Sequence, residues 1–364
     1  KFEISQIFLF SFYNFFVWCV KFLAIFMKEF KAFYFESFRF DIESFKAIFL
    51  YSFDKAEYFE EEIDFSTTWL IVRDDIDTDV LNNFLFQVHI ALGISYYKLF
   101  PTEDLFVESW FLDDIQLNFW KKFYKNGLWE FLYKNNIKPG NLLNFHSSKG
   151  EKYERKDFKK SDRALVPLGG WKDSLVSIEL LREAGIVFET AVFWKMDEVK
   201  TTVSKQVWVK NMLIKRGMSQ NLFKLNDAQY YNGHVPITWI IAFVLYTAAY
   251  LYNYKYIVMS NELSANDGNF SWEGFEVNHQ YSKSLEFEKD LQTYMNGYVT
   301  YQISYFSVLR WMYEYKIAQL FALKCRKYFK TFASCNKNFF INSQKNHSGN
   351  WCLQCEKCVF VYLI

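Results

Sequence analysis

The chain has 364 residues and a net charge of +1, from 42 basic and 41 acidic side chains. That length allows two or three domains and a sizeable core, and the balanced charge excludes a nucleic-acid binder steered by bulk positive potential. Aromatic residues make up 22 % of the chain, with 42 Phe and 25 Tyr against 13 Gly and 4 Pro. Lys, Asn and Ile are abundant too, so this reads as a chain-wide bias in which a single aromatic says little about function.

Residues 7–27 (IFLFSFYNFFVWCVKFLAIFM) have membrane-span length, but Asn14 and Lys21 interrupt the run and no basic region with a cleavage site flanks it. A Phe-rich extension over residues 1–32 is expected, rather than a signal peptide or a span. The chain begins at Lys1 and stops in the apolar run CVFVYLI, which reads as truncation at both ends. Over residues 33–78 the pieces FRFDIES, AIFLYSF and YFEEEIDF alternate apolar and polar residues with period two, predicting a small antiparallel meander with one wet face. Residues 79–160 turn helical, through LNNFLFQVHIALGISYYKLF and FLDDIQLNFWKKFYKNGLWEFLYKNN. They end in the charged linker SKGEKYERKDFKKSD, whose basic run reads as solvated.

From residue 161 to 330 the text alternates. RALVPL predicts a strand and DSLVSIELLREAG a helix ended by Gly185. IVFETAVFW reads as a strand, VSKQVWVKNMLIKRG as a helix, NLFKLN as a strand, VPITWIIAFVLYTAAYLYN as a helix and YKYIVMS as a strand. Such alternation predicts an α/β domain with a parallel sheet covered by helices, whose ligands bind beyond the carboxyl ends of the strands.

The polar motifs fall at those ends. LGGWKDS joins a strand to a helix. Main-chain N–H groups opening a helix lack intrahelical acceptors and carry partial positive charge, so they suit an anion. Gly169 and Gly170 let a phosphate approach, Lys172 can meet its charge and Ser174 can donate to it. Asp173 can cap the helix or help to hold magnesium. The loop is not a Walker A loop, which needs four residues between Gly and Gly-Lys; an ordinary strand-to-helix turn is the plain alternative.

SNELSANDGN (260–269) follows the strand YKYIVM and offers Glu262 among Asn and Ser donors, suited to a metal or polar substrate, or to a plain surface turn. NHQYSKSLEFE (278–288) places His279, a proton carrier near neutral pH, beside Lys283, a partner for phosphate or carboxylate. Its helix is expected to start near Ser282, with Glu286 close behind as part of a cap. NGHVPIT (232–238) adds His234 as a second proton-transfer candidate.

Of six Cys, four lie in the last 30 residues, spaced C-x16-C-x2-C-x2-C at Cys335, Cys352, Cys355 and Cys358. Residues 331–364 therefore read as a metal knuckle suited to structural zinc, with an iron–sulfur cluster or free buried thiols as rivals. Cys19 and Cys325 stand apart.

GGWKDS resembles the SGGxDS loop of the PP-loop ATP pyrophosphatases, which are Rossmann-like. Five more strings, ALGISYYKLFP (91–101), NGHVPIT, SNELSANDGN, NHQYSKSLEFE and WCLQCEKCVFV (351–361), are similar in order to the UDP-N-acetylmuramoyl-L-alanyl-L-glutamate epimerases of that superfamily. The likeness runs from about residue 33 to the end. Two departures stand out: Trp171 takes the place of the pattern's second Gly, where the ring either blocks the phosphates or turns outward, and Gly169 replaces its leading Ser.

The resemblance implies a cytoplasmic, ATP- and magnesium-dependent epimerase that converts the terminal L-glutamate of a UDP-linked muramoyl dipeptide to D-glutamate through an acyl-adenylate. It assigns Gly169, Gly170, Lys172, Asp173 and Ser174 to the nucleotide. Glu262, His279, Lys283 and His234 take acid–base or substrate roles, and Asn261, Asn266, Asn278 and Glu286 contact substrate. Zinc at the four cysteines follows by analogy with other PP-loop enzymes. Another PP-loop adenylating enzyme, or a degenerate nucleotide-binding scaffold, are the alternatives.

Overall fold

The computed structural model describes residues 28–67, 70–268, 270–272, 275–335, 337 and 350–364. The apolar run at 7–27 lies outside them; among the described residues no helix is long and apolar enough to cross a membrane.

The meander forms as its alternation predicts: β1 (Ala32–Asp41), β2 (Lys46–Phe53) and β3 (Glu57–Asp64) pair antiparallel. Helix α1 (Thr78–Tyr97) follows, capped by Asp77, then β4 (Asp104–Val107), α2 (Asp114–Lys134) in a capping box with Asp113, and β5 (Asn144–Ser147). Strand β6 (Ser161–Pro167) opens the alternating region. Next come α3 (Lys172–Glu183), β7 (Phe188–Trp194), α4 (Glu198–Val207), β8 (Asn211–Gly217), α5 (Gln220–Asp227), α6 (Ile237–Leu251) and β9 (Tyr254–Met259). A small hairpin, β10 (Phe270–Trp272) with β11 (Phe275–Val277), precedes α7 (Leu285–Tyr298), β12 (Ser304–Ser307), α8 (Glu314–Lys324) and α9 (Glu356–Leu363).

One ten-stranded sheet runs β12-β9-β6-β7-β8-β3-β2-β1-β4-β5. Strands β12, β9, β6, β7 and β8 are mutually parallel, and β3 joins antiparallel to β8, so the strands on both sides of the charged 148–162 stretch share this sheet. The expected α/β class with N-terminal antiparallel strands is therefore present.

Successive side chains on a strand point to opposite faces, and the core divides accordingly. Leu165, Ala191, Ile257 and Met259 join a large aromatic cluster under α1, α2 and α6. Their neighbours Ala164, Val166, Val192 and Val258 join a second cluster with α3, α4 and α8. The aromatic bias fills the first cluster, where buried phenols find carbonyls: Tyr51 donates to His89 O at 2.9 Å, Tyr97 to Thr102 O at 2.7 Å and Tyr124 to Ile90 O at 2.6 Å.

Three local expectations need correction. NLFKLN is helix α5, not a strand; six residues with Leu222, Phe223 and Leu225 satisfy both periods, and length alone does not arbitrate. VSKQVWVKNMLIKRG is not one helix: α4 stops where Trp208 takes a left-handed φ of +55°, and β8 follows. That position usually carries Gly or Asn, so the sequence gives no stop signal there. Helix α7 is capped by Ser284, which accepts from Phe287 N at 3.1 Å, two residues past the expected Ser282.

Candidate active site

Strand β6 lies between β9 and β7, and the chain progresses outward from it on both sides, so the β6–β9 gap is the topological switch point of the parallel strands. Crevices at such points, beyond the carboxyl ends of the strands, are where open α/β sheets bind ligands. The segments after β6, β9 and β12 meet here. Ser177 on α3 donates to Ser260 Oγ at 2.8 Å, Ser307 donates to Asn261 O at 2.7 Å, and Leu263 N donates to Met312 O at 3.0 Å.

The Gly169–Ser174 turn forms the floor. Gly170 has φ +80°, and a Cβ on it would sit 2.9 Å from Val199 Cγ1. We expect Gly170→Ala to destabilise the fold by about 1–3 kcal/mol from left-handed strain and overpacking. Gly169→Ala, whose added Cβ meets nothing nearer than Trp171 Cδ1 at 3.9 Å, should cost little; urea unfolding of the two variants checks the contrast.

Trp171 is the N-cap of α3 in extended conformation, and Lys357 Nζ stands 5.9 Å from its ring centroid, so the indole faces helix α9. Its carbonyl accepts from Ser174 Oγ at 2.9 Å. Lys172 is buried, with Nζ 2.6 Å from Asp173 Oδ1 and 2.9 Å from Glu314 Oε1. Burial opposes its charge, but the two carboxylates outweigh burial and hold the ammonium above its usual range.

Lys283 lies within electrostatic reach of Asp173, Lys172 and Lys357. Burial pushes its pKa down, Asp173 opposes this, and the two lysines add to the depression. Among the described residues no carboxylate forms an ion pair with it. Its main chain is fixed by Arg310, which is buried, donates to Lys283 O at 2.7 Å and Glu262 O at 3.4 Å, and pairs with buried Glu288. Three buried polar atoms at the same edge have no hydrogen-bond partner among the described residues: Asn261 Nδ2, Glu262 Oε2 and Glu314 Oε2. Buried polar atoms are normally satisfied, so these three offer unused polar capacity that a ligand at this edge could take up.

The two histidines adjoin this edge through Glu130 of α2. His234 Nδ1 is 3.6 Å from Glu130 Oε2, and Glu130, Lys283, Lys134 and Lys357 all act on exposed His279. Burial lowers both imidazole pKa values and Glu130 opposes the shift in each. Both rings are thereby kept neutral near pH 7. Lys98, from the 91–101 string, fastens the His234 loop by donating to Asn232 Oδ1 at 3.0 Å and Gly233 O at 2.9 Å.

Not every predicted side chain faces the crevice. Asn266 donates to Leu263 O and accepts from Leu285 N, and Asn278 donates to Ala265 O and accepts from Gln280 N, so both amides fasten the 260–269 and 278–285 segments to one another. Glu286 forms an exposed ion pair with Lys122 at 2.7 Å.

The four C-terminal sulfurs lie within 4.8 Å of one another. Pairs Cys335–Cys355, Cys352–Cys358 and Cys355–Cys358 are 3.9, 3.8 and 3.5 Å apart. A tetrahedral ion with metal–sulfur bonds of about 2.3 Å sets its sulfurs roughly 3.8 Å apart, so the group can hold a single metal ion such as zinc. The N–H groups of Cys352 and Gln354 donate to Cys335 and Cys352 sulfur, each at 3.4 Å, as thiolate ligands require.

The MurL N-terminal domain family matches residues 25–308, and the MurL C-terminal domain family matches residues 331–364. The chain belongs to the MurL family. Three relatives are each named UDP-N-acetyl-alpha-D-muramoyl-L-alanyl-L-glutamate epimerase. The Xanthomonas oryzae pv. oryzae protein is 33% identical over 76% of this chain and 60% of its own length. The Micromonospora protein is 33% identical over 93% of this chain and 75% of its own length. The Salinispora tropica protein is 31% identical over 93% and 73% respectively.

In this MurL chain, four residues of the edge were not among the sequence candidates: Glu130, Arg310, Glu314 and Lys357. Arg310 and Glu314 follow β12, and reading SYFSVL as one more parallel strand before the helical EYKIAQLFALK would have exposed them. Glu130 sits mid-helix and Lys357 between two cysteines, where nothing local marks them.

Proposed function

We propose that the chain epimerises the terminal L-glutamate of UDP-N-acetylmuramoyl-L-alanyl-L-glutamate to D-glutamate in the cytoplasm, for peptidoglycan precursor synthesis, using ATP and magnesium. The name that the three relatives share, UDP-N-acetyl-alpha-D-muramoyl-L-alanyl-L-glutamate epimerase, supports this substrate. The observation that carries the ATP reading is Lys172 and Lys283 beside a Gly-Gly helix start at the switch point, next to two neutral imidazoles.

ATP, when bound, would supply activation of the α-carboxylate as an acyl-adenylate with pyrophosphate as leaving group, and water would afterwards cleave that anhydride to free the carboxylate and AMP. The remaining chemistry falls to the chain. Lys172 and Lys283 are placed to meet phosphate or carboxylate charge. Asp173, Glu262 and Glu314 are hard oxygen donors of the kind magnesium takes, and the free Oε2 atoms of the two glutamates fit that use. A carbon beside a carboxylate resists a second negative charge, and masking the carboxylate lowers that resistance. His279 and His234, neutral and joined through Glu130, are then the proton carriers: inversion needs the proton to leave one face of the carbon and return on the other. We assign the four cysteines to structural zinc.

Purified protein given ATP, magnesium and the L-glutamyl precursor in deuterated water is expected to release AMP and pyrophosphate and to place deuterium at the glutamate α-carbon. Release of ADP, or AMP release with no α-exchange, would sink the reading.

A further inference from the structure

We propose that Lys357 is a third phosphate-binding lysine of the nucleotide site, delivered there by the C-terminal metal knuckle; the inference rests on the ATP reading above. The knuckle grips the Gly169–Ser174 turn at two points. On one side Ala333, two residues before the first cysteine, donates its N–H to Gly170 O at 3.2 Å. On the other, Lys357 stands 5.9 Å from the Trp171 ring centroid. Phe332 and Trp351 meet with ring centroids 5.1 Å apart and continue the core that holds Leu168 and Val199 beneath the same turn.

Charge gives the reason for the placement. Lys172, Lys283 and Lys357 come from three separate elements, and the latter two act electrostatically on one another. Lys172 has Asp173 and Glu314 as partners. Among the described residues no carboxylate pairs with Lys283 or Lys357. Like charges brought together in partly desolvated surroundings repel, so Lys283 and Lys357 gain from an anion between them, and a triphosphate at the Gly169–Gly170 turn is such an anion.

The metal site fixes the third lysine. Lys357 lies between Cys355 and Cys358 in the first turn of α9, so its main chain would be fixed beside Trp171 while both sulfurs hold one ion. Occupancy of the knuckle and affinity for nucleotide are therefore coupled.

The test is calorimetric titration of ATP into the metal-loaded protein and its Lys357→Ala and Lys357→Arg variants, with metal content and melting temperature measured on each. Loss of a charge-assisted contact worth about 1.5–3 kcal/mol raises the ATP dissociation constant roughly 10- to 150-fold. Lys357→Ala should show that rise with metal content unchanged and melting temperature unchanged or higher, and Lys357→Arg should recover most of the affinity. Wild-type affinity in Lys357→Ala overturns this inference and leaves the ATP reading standing. No ATP binding by the wild-type protein overturns both, and the wild-type titration alone tells the two failures apart.

Discussion

Lys283→Ala is expected to lower kcat/KM for the glutamyl precursor by about 10²–10³, the usual cost of deleting one preorganised charge-stabilising donor. The magnitude follows from where the ammonium sits. Burial depresses its pKa, and although Asp173 acts on it electrostatically, no carboxylate among the described residues forms an ion pair with it, so its field is only partly offset locally. In such surroundings a charge acts on a bound anion far more strongly than in water. The main chain is held independently, by the Arg310 guanidinium on Lys283 O at 2.7 Å, so the truncated variant keeps its backbone. Its melting temperature should stay at the wild-type value or rise, because an unpaired, half-desolvated cation is removed. Steady-state kinetics with a parallel thermal melt decide the matter. A variant within a few-fold of wild-type kcat/KM would remove Lys283 from the reaction.

The parts legible in sequence were those set by local rules. Period-two alternation gave β1, β2 and β3, and strand–helix alternation gave β6, β7 and β9 with their edge, hence the crevice. Cysteine spacing gave the four-sulfur group, because C-x2-C-x2-C with one more Cys suits a single metal ion, while leaving an iron–sulfur cluster and free thiols as rivals. Illegible were features decided by tertiary packing. The four-residue strands β4 and β5 are too short to show a period, and they form because β1 offers a parallel edge. The left-handed Trp208 that splits α4 from β8 has no local signature.

At the site, Gly170 and Lys172 could be placed from the turn itself. The contrast is Asn266 and Asn278: their residue type promised ligand contacts, yet each amide joins a local backbone group to one in the other loop, a cross-link that sequence spacing does not encode. Glu130 enters the site only because α2 packs across the chain from His234, a pairing that sequence spacing does not encode.

Cys355→Ser should release the metal and open residues 331–364 while leaving the central sheet folded. Helix α9 has eight residues and buries only Cys358 among them, with Val359, Phe360, Tyr362 and Leu363 exposed. A helix that short is marginal in water, and almost no apolar burial compensates for its ordering. Structural zinc supplies apparent binding free energies of about 10–16 kcal/mol in small peptides, far beyond what the contacts of α9 contribute, so zinc bound at the four sulfurs would be what holds α9 in place. The large aromatic cluster under α1, α2 and α6 takes no part in the knuckle and should survive its loss. Limited proteolysis is expected to cut the variant near residue 335 while far-UV circular dichroism changes little, and ATP affinity should fall as the Ala333 and Lys357 contacts to the turn are lost. Cys325→Ser is the control: that thiol is fully buried under α8 and outside the four-sulfur group, so the variant should retain its metal. A Cys355→Ser protein that keeps one equivalent of tightly bound zinc, or that resists protease as wild type does, would show that the segment is ordered by packing instead.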